Sequence, residues 1–499
     1  MIYALLLTLL YFALRLWGLR ERPINYIFDE GVHFGLMELL AQDKGTLYRD
    51  FLFVHPPGVL WVGAWLWRQG IRDIYVLRVL YIMFCSLSLP PIYAIARRLY
   101  GPKFALGTLL LVAATPGLAT WLGRTVMLDT ALQVPIFLAL WIIVRLRRAS
   151  PLALLGAGAI LGTGTLIKAV ALPAALAFCA ALLWAGFFPP ETEELDREKR
   201  KTARGWRLSA FWFGAGFFAV FGVMTWRLWQ IPNYGYYAYG LNGSVPFSLD
   251  LRVRDLTSGF YMLPLQLTFG VLGAWRMARR GATRAERFLG AFALADTLLM
   301  LLLPRNFYWR YLLPALPIYS LGILLWIGDF RAAPHSPLVR RAALVSGTLL
   351  CLTHLVTLTL YYAVDSVNPP QYQTALRLLR ESPGPVFTLD PLWLAAAGQS
   401  PPVWVFACDA EWKIPAVKAP DDFDRALLAC PTALLDHKTL QMLPKETELK
   451  LRTNYVSIFR YETPDTRRYV EIFRRREAPF PIIKAANGEA EIPAKERRH

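Results

Sequence analysis

The sequence predicts a polytopic α-helical membrane protein of about eleven crossings with a small C-terminal α/β domain. Three observations carry that prediction. Charged residues are only 18% of the 499, hydrophobic ones are 55%, and the mean hydropathy is +0.36; an average soluble domain is about 25% charged. The apolar residues are gathered into runs long enough to cross a bilayer. Arg and Lys concentrate in every second loop, as the positive-inside rule requires. The net charge of +18 therefore reads as topology. Nucleic-acid binders concentrate such charge on a polar domain, whereas here Arg and Lys sit between long apolar runs, so no nucleic-acid partner is expected.

The first run starts at Met1 and extends for about 19 residues, enough to span a bilayer as a helix. No charged segment precedes Tyr3 and no small-residue cleavage site precedes Arg20, so it reads as an uncleaved first membrane helix ending near Arg15. Further runs occupy 78–96, 104–121, 127–144, 152–167, 169–188, 208–228, 258–277, 286–303, 311–328 and 342–363. With the N-terminus in the cytoplasm, the cytoplasmic loops hold Arg97, Arg98 and Lys103, then Arg145, Arg147 and Arg148, the basic 191–207 loop, the arginines of 276–287, and Arg331, Arg340 and Arg341. Loops 20–77 and 229–257 and everything after about 364 then lie outside.

This divides the chain into a transmembrane domain, 1–363, and an extracytoplasmic domain, 364–499, loose after about 481. The tail has turn punctuation at Ser382–Pro385 and β-like runs at Val386–Leu389 and Val403–Phe406. It also has amphipathic helical patterns around Gln371–Arg380 and Asp422–Leu428. The five cysteines lack metal-ligand spacing; Cys408 and Cys430 share the tail and are the candidates for a disulfide, which spacing alone does not establish.

The first external loop has apolar periodicity over Val32–Leu40 and Leu60–Trp67, which suits helices lying on the membrane surface. Ahead of the first of these stand Asp29 and Glu30. A carboxylate there serves as a general base toward a hydroxyl, as a ligand to a divalent cation, or as the cap of a helix over Gly31–Leu40. His55-Pro56-Pro57 is a rigid element that presents its imidazole in a nearly fixed direction, for structure or for binding.

Asp129 lies a turn inside an apolar helix, five residues after Arg124. An ionisable group there is costly unless paired or hydrated, so both are site candidates, the alternative being an ion pair with another helix. Lys168 ends the glycine-rich run 161–167 at the outer face, where it snorkels to headgroups or reaches a phosphate. Arg305 and Arg310, with Tyr311, suit phosphate recognition or a membrane-interface belt. Tyr234 and Tyr236 are placed to stack on a sugar or to anchor the interface.

These residues resemble those of the GT-C superfamily of membrane glycosyltransferases, in the branch of the dolichyl-phosphate-mannose protein O-mannosyltransferases and aminoarabinose transferases (glycosyltransferase families 39 and 83). The matching features are Asp29-Glu30 after the first helix, His55-Pro56-Pro57, Arg124 with Leu128-Asp129-Thr130, the glycine-rich helix ending in Lys168, and Arg310-Tyr311-Leu312-Leu313-Pro314. The chain departs from that pattern in having Gly58-Val59 after the prolines and Val54-His55 before them.

The resemblance implies a polyprenyl-phosphate sugar donor and inversion at the sugar carbon. Asp29 would activate the acceptor hydroxyl, with Glu30 beside it, and Arg124 would matter for activity. The His55 loop and the helix-end cations Lys168, Arg305 and Arg310 would bind the lipid phosphate; Asp129, Tyr311 and, from their placement alone, Tyr234 and Tyr236 are the further substrate-binding candidates. Metal use varies within the superfamily, so no cofactor is assumed; Asp29, Glu30 and His55 are the candidates for a divalent metal ion. The expected function is transfer of a hexose such as mannose, or a pentose, to an extracytoplasmic hydroxyl on a lipid, glycan or protein. A lipid flippase or transporter is the alternative, although its signature of two related halves is missing from the sequence. A non-catalytic scaffold would leave the cost of Asp129 and Lys168 unexplained.

Overall fold

The computed structural model describes residues 2–476 except 17–18, 20–27, 50, 52, 120–121, 147–148, 191–204, 207, 241–247, 305–307, 333–335, 365–368, 389–390, 401–419, 437–439, 441–442 and 463–468. Arg305, the 403–406 run, Cys408, most of the basic 191–207 loop and the segment after 481 lie outside the described residues.

The chain opens with α1 (Ile2–Leu16), α2 (Phe28–Ala41) and α3 (Gly58–Arg68). Then α4 (Ile74–Ser86) and α5 (Leu89–Tyr100) run on as one apolar rod of 27 residues. They are followed by α6 (Pro102–Ala113), α7 (Pro116–Ala119), α8 (Leu128–Arg145), α9 (Pro151–Thr163), α10 (Ala171–Phe187) and α11 (Ser209–Thr225). The helical part ends with α12 (Leu249–Met262), α13 (Val271–Arg280), α14 (Arg284–Leu302), α15 (Leu316–Ala332) and α16 (Pro337–Val364). Local chemistry sets several starts. Asp73 accepts from Tyr75 N at 2.6 Å ahead of α4, and Thr283 and Glu286 close a capping box on α14.

Among the described residues, Ile74–Tyr100, Leu128–Arg145 and Pro337–Leu360 are long and apolar enough to cross a membrane, and six shorter apolar helices accompany them. Leu5, Leu6 and Leu9 on α1, Phe211, Phe218 and Val223 on α11, and Leu344, Leu349 and Leu355 on α16 point outward. An apolar surface of that kind suits lipid and not water.

One predicted span is divided. The run 258–277 is not a single helix: α12 stops at Met262, Pro264 follows, and a wide turn at Gln266–Gly270 leads into α13. Proline supplies no N–H and clashes with the carbonyl four residues earlier. Helix α15 likewise begins only after Pro314.

The bundle core joins α5, α6, α8–α11, α14 and α15. Within it α9 and α11 cross closely. A Cβ at Gly158 would stand 2.0 Å from the Phe213 carbonyl oxygen, and one at Gly216 would stand 2.1 Å from that of Leu155, so only glycine fits.

A second core lies beside the bundle. It unites α2 and α3 with the tail, which comprises α17 (Pro369–Arg380), β1 (Val386–Thr388), α18 (Pro391–Ala397), α19 (Pro420–Ala429), β2 (Thr432–Asp436), α20 (Lys445–Asn454), β3 (Tyr455–Glu462) and β4 (Tyr469–Arg475). The strands form one sheet in the order β1-β2-β4-β3, with β1 and β2 parallel and the other pairs antiparallel. Alternation along β2 sends Leu434 toward α2, while Ala433 and Leu435 pack on the opposite side with Phe423, Leu427 and Leu451. Cys430, in that third core, is a free buried thiol. Helix α2 is enclosed: Val32, Phe34, Leu36, Met37 and Leu39 are all buried. Glu30, His33 and Glu38 are buried in it as well, so α2 is packed between neighbours and does not lie on a membrane surface as its periodicity suggests.

Candidate active site

Asp29 and Glu30 stand in the first turn of α2. The helix begins at Phe28, so Asp29 is a first-turn residue and does not occupy the capping position that Gly31–Leu40 implied. The two carboxylates face different partners.

Glu30 is fully buried. Its Oε1 accepts from Arg78 Nε and from the backbone N–H of Val126, both at 2.9 Å, and its Oε2 accepts from Arg78 Nη2 at 2.5 Å. One turn further along α2, His33 Nδ1 donates to the Val126 carbonyl at 2.9 Å. That bond places the proton on Nδ1, since a carbonyl only accepts. Burial lowers the imidazole's pKa, against the pull of Asp29, so the ring is neutral. From α4, the Tyr81 hydroxyl donates to the Met127 carbonyl. The backbone at 126–127 is thus held on both sides immediately before α8 begins at Leu128. His33, Arg78 and Tyr81 were not among the sequence candidates. The available signals were the i, i+3 spacing of Glu30 and His33 and an arginine set among Val76, Leu77, Val79 and Leu80.

Asp29 turns to the other side. Its Oδ2 accepts from Arg310 Nη2 at 3.2 Å, and its side chain is 31% exposed. Arg310 belongs to a 3-10 turn, Trp309–Leu312, and its guanidinium stacks 4.5 Å over the Tyr308 ring. Its Nε lies 3.2 Å from Asp129 Oδ2 without hydrogen-bond alignment. Asp129 is in the first turn of α8, not a turn inside it, and both of its oxygens accept from Lys168 Nζ at 2.7 Å. Lys168 sits in the turn between α9 and α10, buried, with Nζ 4.8 Å from the Tyr311 ring. Of the two readings of Lys168, headgroup snorkelling does not describe this placement. Burial pushes the ammonium down to about 8, opposed by the Asp129 carboxylate.

The remaining candidates sort by distance from this network. A Cβ at Gly58 would approach the Leu166 carbonyl oxygen to 2.7 Å, so the His55-Pro56-Pro57 element abuts the Lys168 turn. The Tyr48 hydroxyl fixes the loop by donating to the His55 carbonyl at 2.6 Å. Tyr234 is buried edge-on against Tyr48 at 5.0 Å and meets the Tyr239 hydroxyl at 3.2 Å; Tyr239 in turn donates to the Thr165 carbonyl at 3.1 Å. It is packed as a brace for the Lys168 turn, while Tyr236 is 46% exposed and stands outside it. Arg124 is buried in the turn that leads to α8. Asp29, Glu30 and His55 are not brought into one ligand set: among the described residues no three His, Cys, Asp or Glu side chains are grouped to hold a metal ion.

The loop ends named as cytoplasmic meet one another away from this network. Arg98 donates to the Val144 carbonyl at 3.1 Å, and Arg284 donates to the Ala185 carbonyl at 3.0 Å.

The family described as dolichyl-phosphate-mannose-protein mannosyltransferase matches residues 54–189, the stretch with His55, Arg124, Asp129 and Lys168. No curated protein matches the chain by sequence. Among solved structures, the chain is similar to ArnT from Cupriavidus metallidurans in its apo state, with 15% identity, a TM-score of 0.60, and coverage of 94% of this chain and 97% of that one. The same protein bound to undecaprenyl phosphate matches at 16% identity and a TM-score of 0.58 with the same coverage. At this identity the likeness is one of fold. Together with the matched segment it indicates a membrane glycosyltransferase with the GT-C fold.

Proposed function

We propose that the protein transfers a sugar, a hexose such as mannose or a pentose, from a polyprenyl-phosphate donor to an extracytoplasmic hydroxyl on a lipid, glycan or protein, with inversion. The observation that carries this reading is the Arg310 bridge between a partly open carboxylate, Asp29, and a closed carboxylate–ammonium pair, Asp129–Lys168. Asp29 is the group exposed enough to take a proton from an acceptor hydroxyl. Lys168 and Arg310, with Arg124 five residues before Asp129, supply the positive charge that a departing phosphate needs. Glu30 is better suited to holding the site together than to acid–base work, because Arg78 and Val126 engage both of its oxygens. The undecaprenyl phosphate bound in the ArnT structure supports a lipid-phosphate donor for this chain as well.

In this reading the chain crosses the membrane about eleven times from a cytoplasmic N-terminus. The first loop, the 229–257 loop and the α/β domain after 364 are external. The separation of the Arg98 and Arg284 contacts from the Asp29–Arg310 network supports that orientation.

The test uses purified full-length protein in vesicles with a panel of undecaprenyl-phosphate sugars and mass analysis of the products. Consumption of one donor with release of undecaprenyl phosphate is expected. Movement of the lipid across the bilayer with no donor consumed would favour the flippase alternative.

A further inference from the structure

The network around Arg310 is unevenly bound. Lys168 makes two contacts of 2.7 Å to Asp129, within the ordinary range for charge-assisted bonds. Arg310 makes two longer contacts of 3.2 Å, one to each carboxylate, and that to Asp129 lacks hydrogen-bond alignment. Asp129 therefore remains neutralised by Lys168 whether or not Arg310 stays. Arg310 is held by the longer contacts of the two cations, and the more exposed of its two partners is Asp29, at 31% against 3%.

We propose that Arg310 passes from Asp29 to the leaving phosphate during transfer, so that deprotonation of the acceptor and departure of the lipid phosphate are coupled through one guanidinium. The inference rests on the glycosyltransferase reading above. The acceptor oxygen forms a bond to the sugar carbon, and the bond from that carbon to the phosphate oxygen breaks with its electron pair going to the phosphate. The acceptor proton goes to Asp29. The donor phosphodiester carries one negative charge and the released monoester carries two, while Asp29 loses one. Total charge is unchanged, but the negative charge moves from the carboxylate to the phosphate, and the guanidinium follows it. A planar fork with separate donors suits this exchange; an ammonium, as a compact point charge, does not span two sites. The proton later leaves Asp29 to solvent, Arg310 returns, and the hold on the lipid phosphate weakens for release.

The substitution Asp29→Asn imitates the protonated carboxyl group and releases Arg310 permanently. Undecaprenyl phosphate, titrated into purified full-length protein, should bind about tenfold tighter to Asp29→Asn than to wild type, the scale of one neutralised competing charge. The gain should vanish when Asp29→Asn is combined with Arg310→Gln and compared with Arg310→Gln alone. Equal or weaker binding to Asp29→Asn, or a gain that survives without Arg310, overturns the exchange. Arg310→Lys is a second arm: it should keep undecaprenyl phosphate affinity within about threefold while turnover falls at least tenfold. Wild-type turnover in Arg310→Lys overturns the proposal too. Loss of transfer in Asp29→Asn without any change in affinity defeats the exchange alone, whereas transfer at the wild-type rate defeats the assignment of Asp29 itself.

Discussion

The Glu30–Arg78 cluster and the Arg310 cluster flank the first turn of α2, and they differ in how completely their charges are matched. Glu30 and Arg78 are 1% and 3% exposed and joined by two hydrogen bonds, with a third from the Val126 N–H. Arg310 is shared between two carboxylates by longer contacts, one of them to a side chain that is 31% exposed. A fully matched buried pair resists change because removing either member strands the other. A partly matched one has charge to offer an incoming group. Adjacent carboxylates in one sequence thus differ in setting: Glu30 is closed in by Arg78 and Val126, and Asp29 is the more exposed of the two.

Breaking the closed cluster should have the largest effect on stability. Arg78→Met leaves Glu30 buried without its cation and should cost about 3–5 kcal/mol, read as a lowered melting temperature. Adding Glu30→Gln should restore much of that loss, and a double variant as unstable as the single one would contradict the pairing.

Lys168 sharpens the other side of the comparison. Its ammonium is pushed down to about 8, so above the phosphate's own second ionisation at about pH 6, affinity for undecaprenyl phosphate should fall as pH rises through about 8 and the charge is lost. The folded value lies below the ordinary 10.5, so the native state sheds its proton earlier than the unfolded chain. This group's contribution to stability therefore becomes more favourable as pH rises from about 8 to 10.5. In Lys168→Arg the alkaline fall in affinity should disappear.

The His33 bond to Val126 is a smaller element of the clamp. His33→Ala should cost about 1 kcal/mol for the lost hydrogen bond plus the cavity left by the ring. His33→Asn, whose amide also donates, should recover part of it, and circular-dichroism melts of the two variants decide the point. Tyr236→Phe should stay within about 0.5 kcal/mol and leave lipid-phosphate affinity unchanged, since Tyr236 is exposed outside the network. A marked loss of affinity would move this tyrosine into the site.

Much of this arrangement is legible in the sequence, and the rest is hidden for physical reasons. Apolar runs locate the helices because lipid leaves backbone groups no other partner. Pro264 marks a break, yet a proline inside a membrane helix is often tolerated, so the 258–277 run reads as continuous from sequence alone. That Asp129 and Lys168 each need a partner follows from their burial cost. Which partner each takes does not, because Asp129 and Lys168 are 39 residues apart and Asp29 and Arg310 are 281 apart. Arg78 read as the flank of a span beginning there; only the folded chain sets it against Glu30. The strands β2 and β4 are hard to read from the sequence because their apolar residues are divided between two buried faces, with Leu434 and Ile472 on one and Leu435 and Phe473 on the other.

The central claim is that Asp29 works as the acceptor's base beside a lipid-phosphate site. The rate of undecaprenyl phosphate release from the donor by Asp29→Asn, against wild type in the same vesicles, tests it most directly. The account predicts a fall of about 10²–10⁴-fold with an unchanged melting temperature. A rate within twofold of wild type would contradict it.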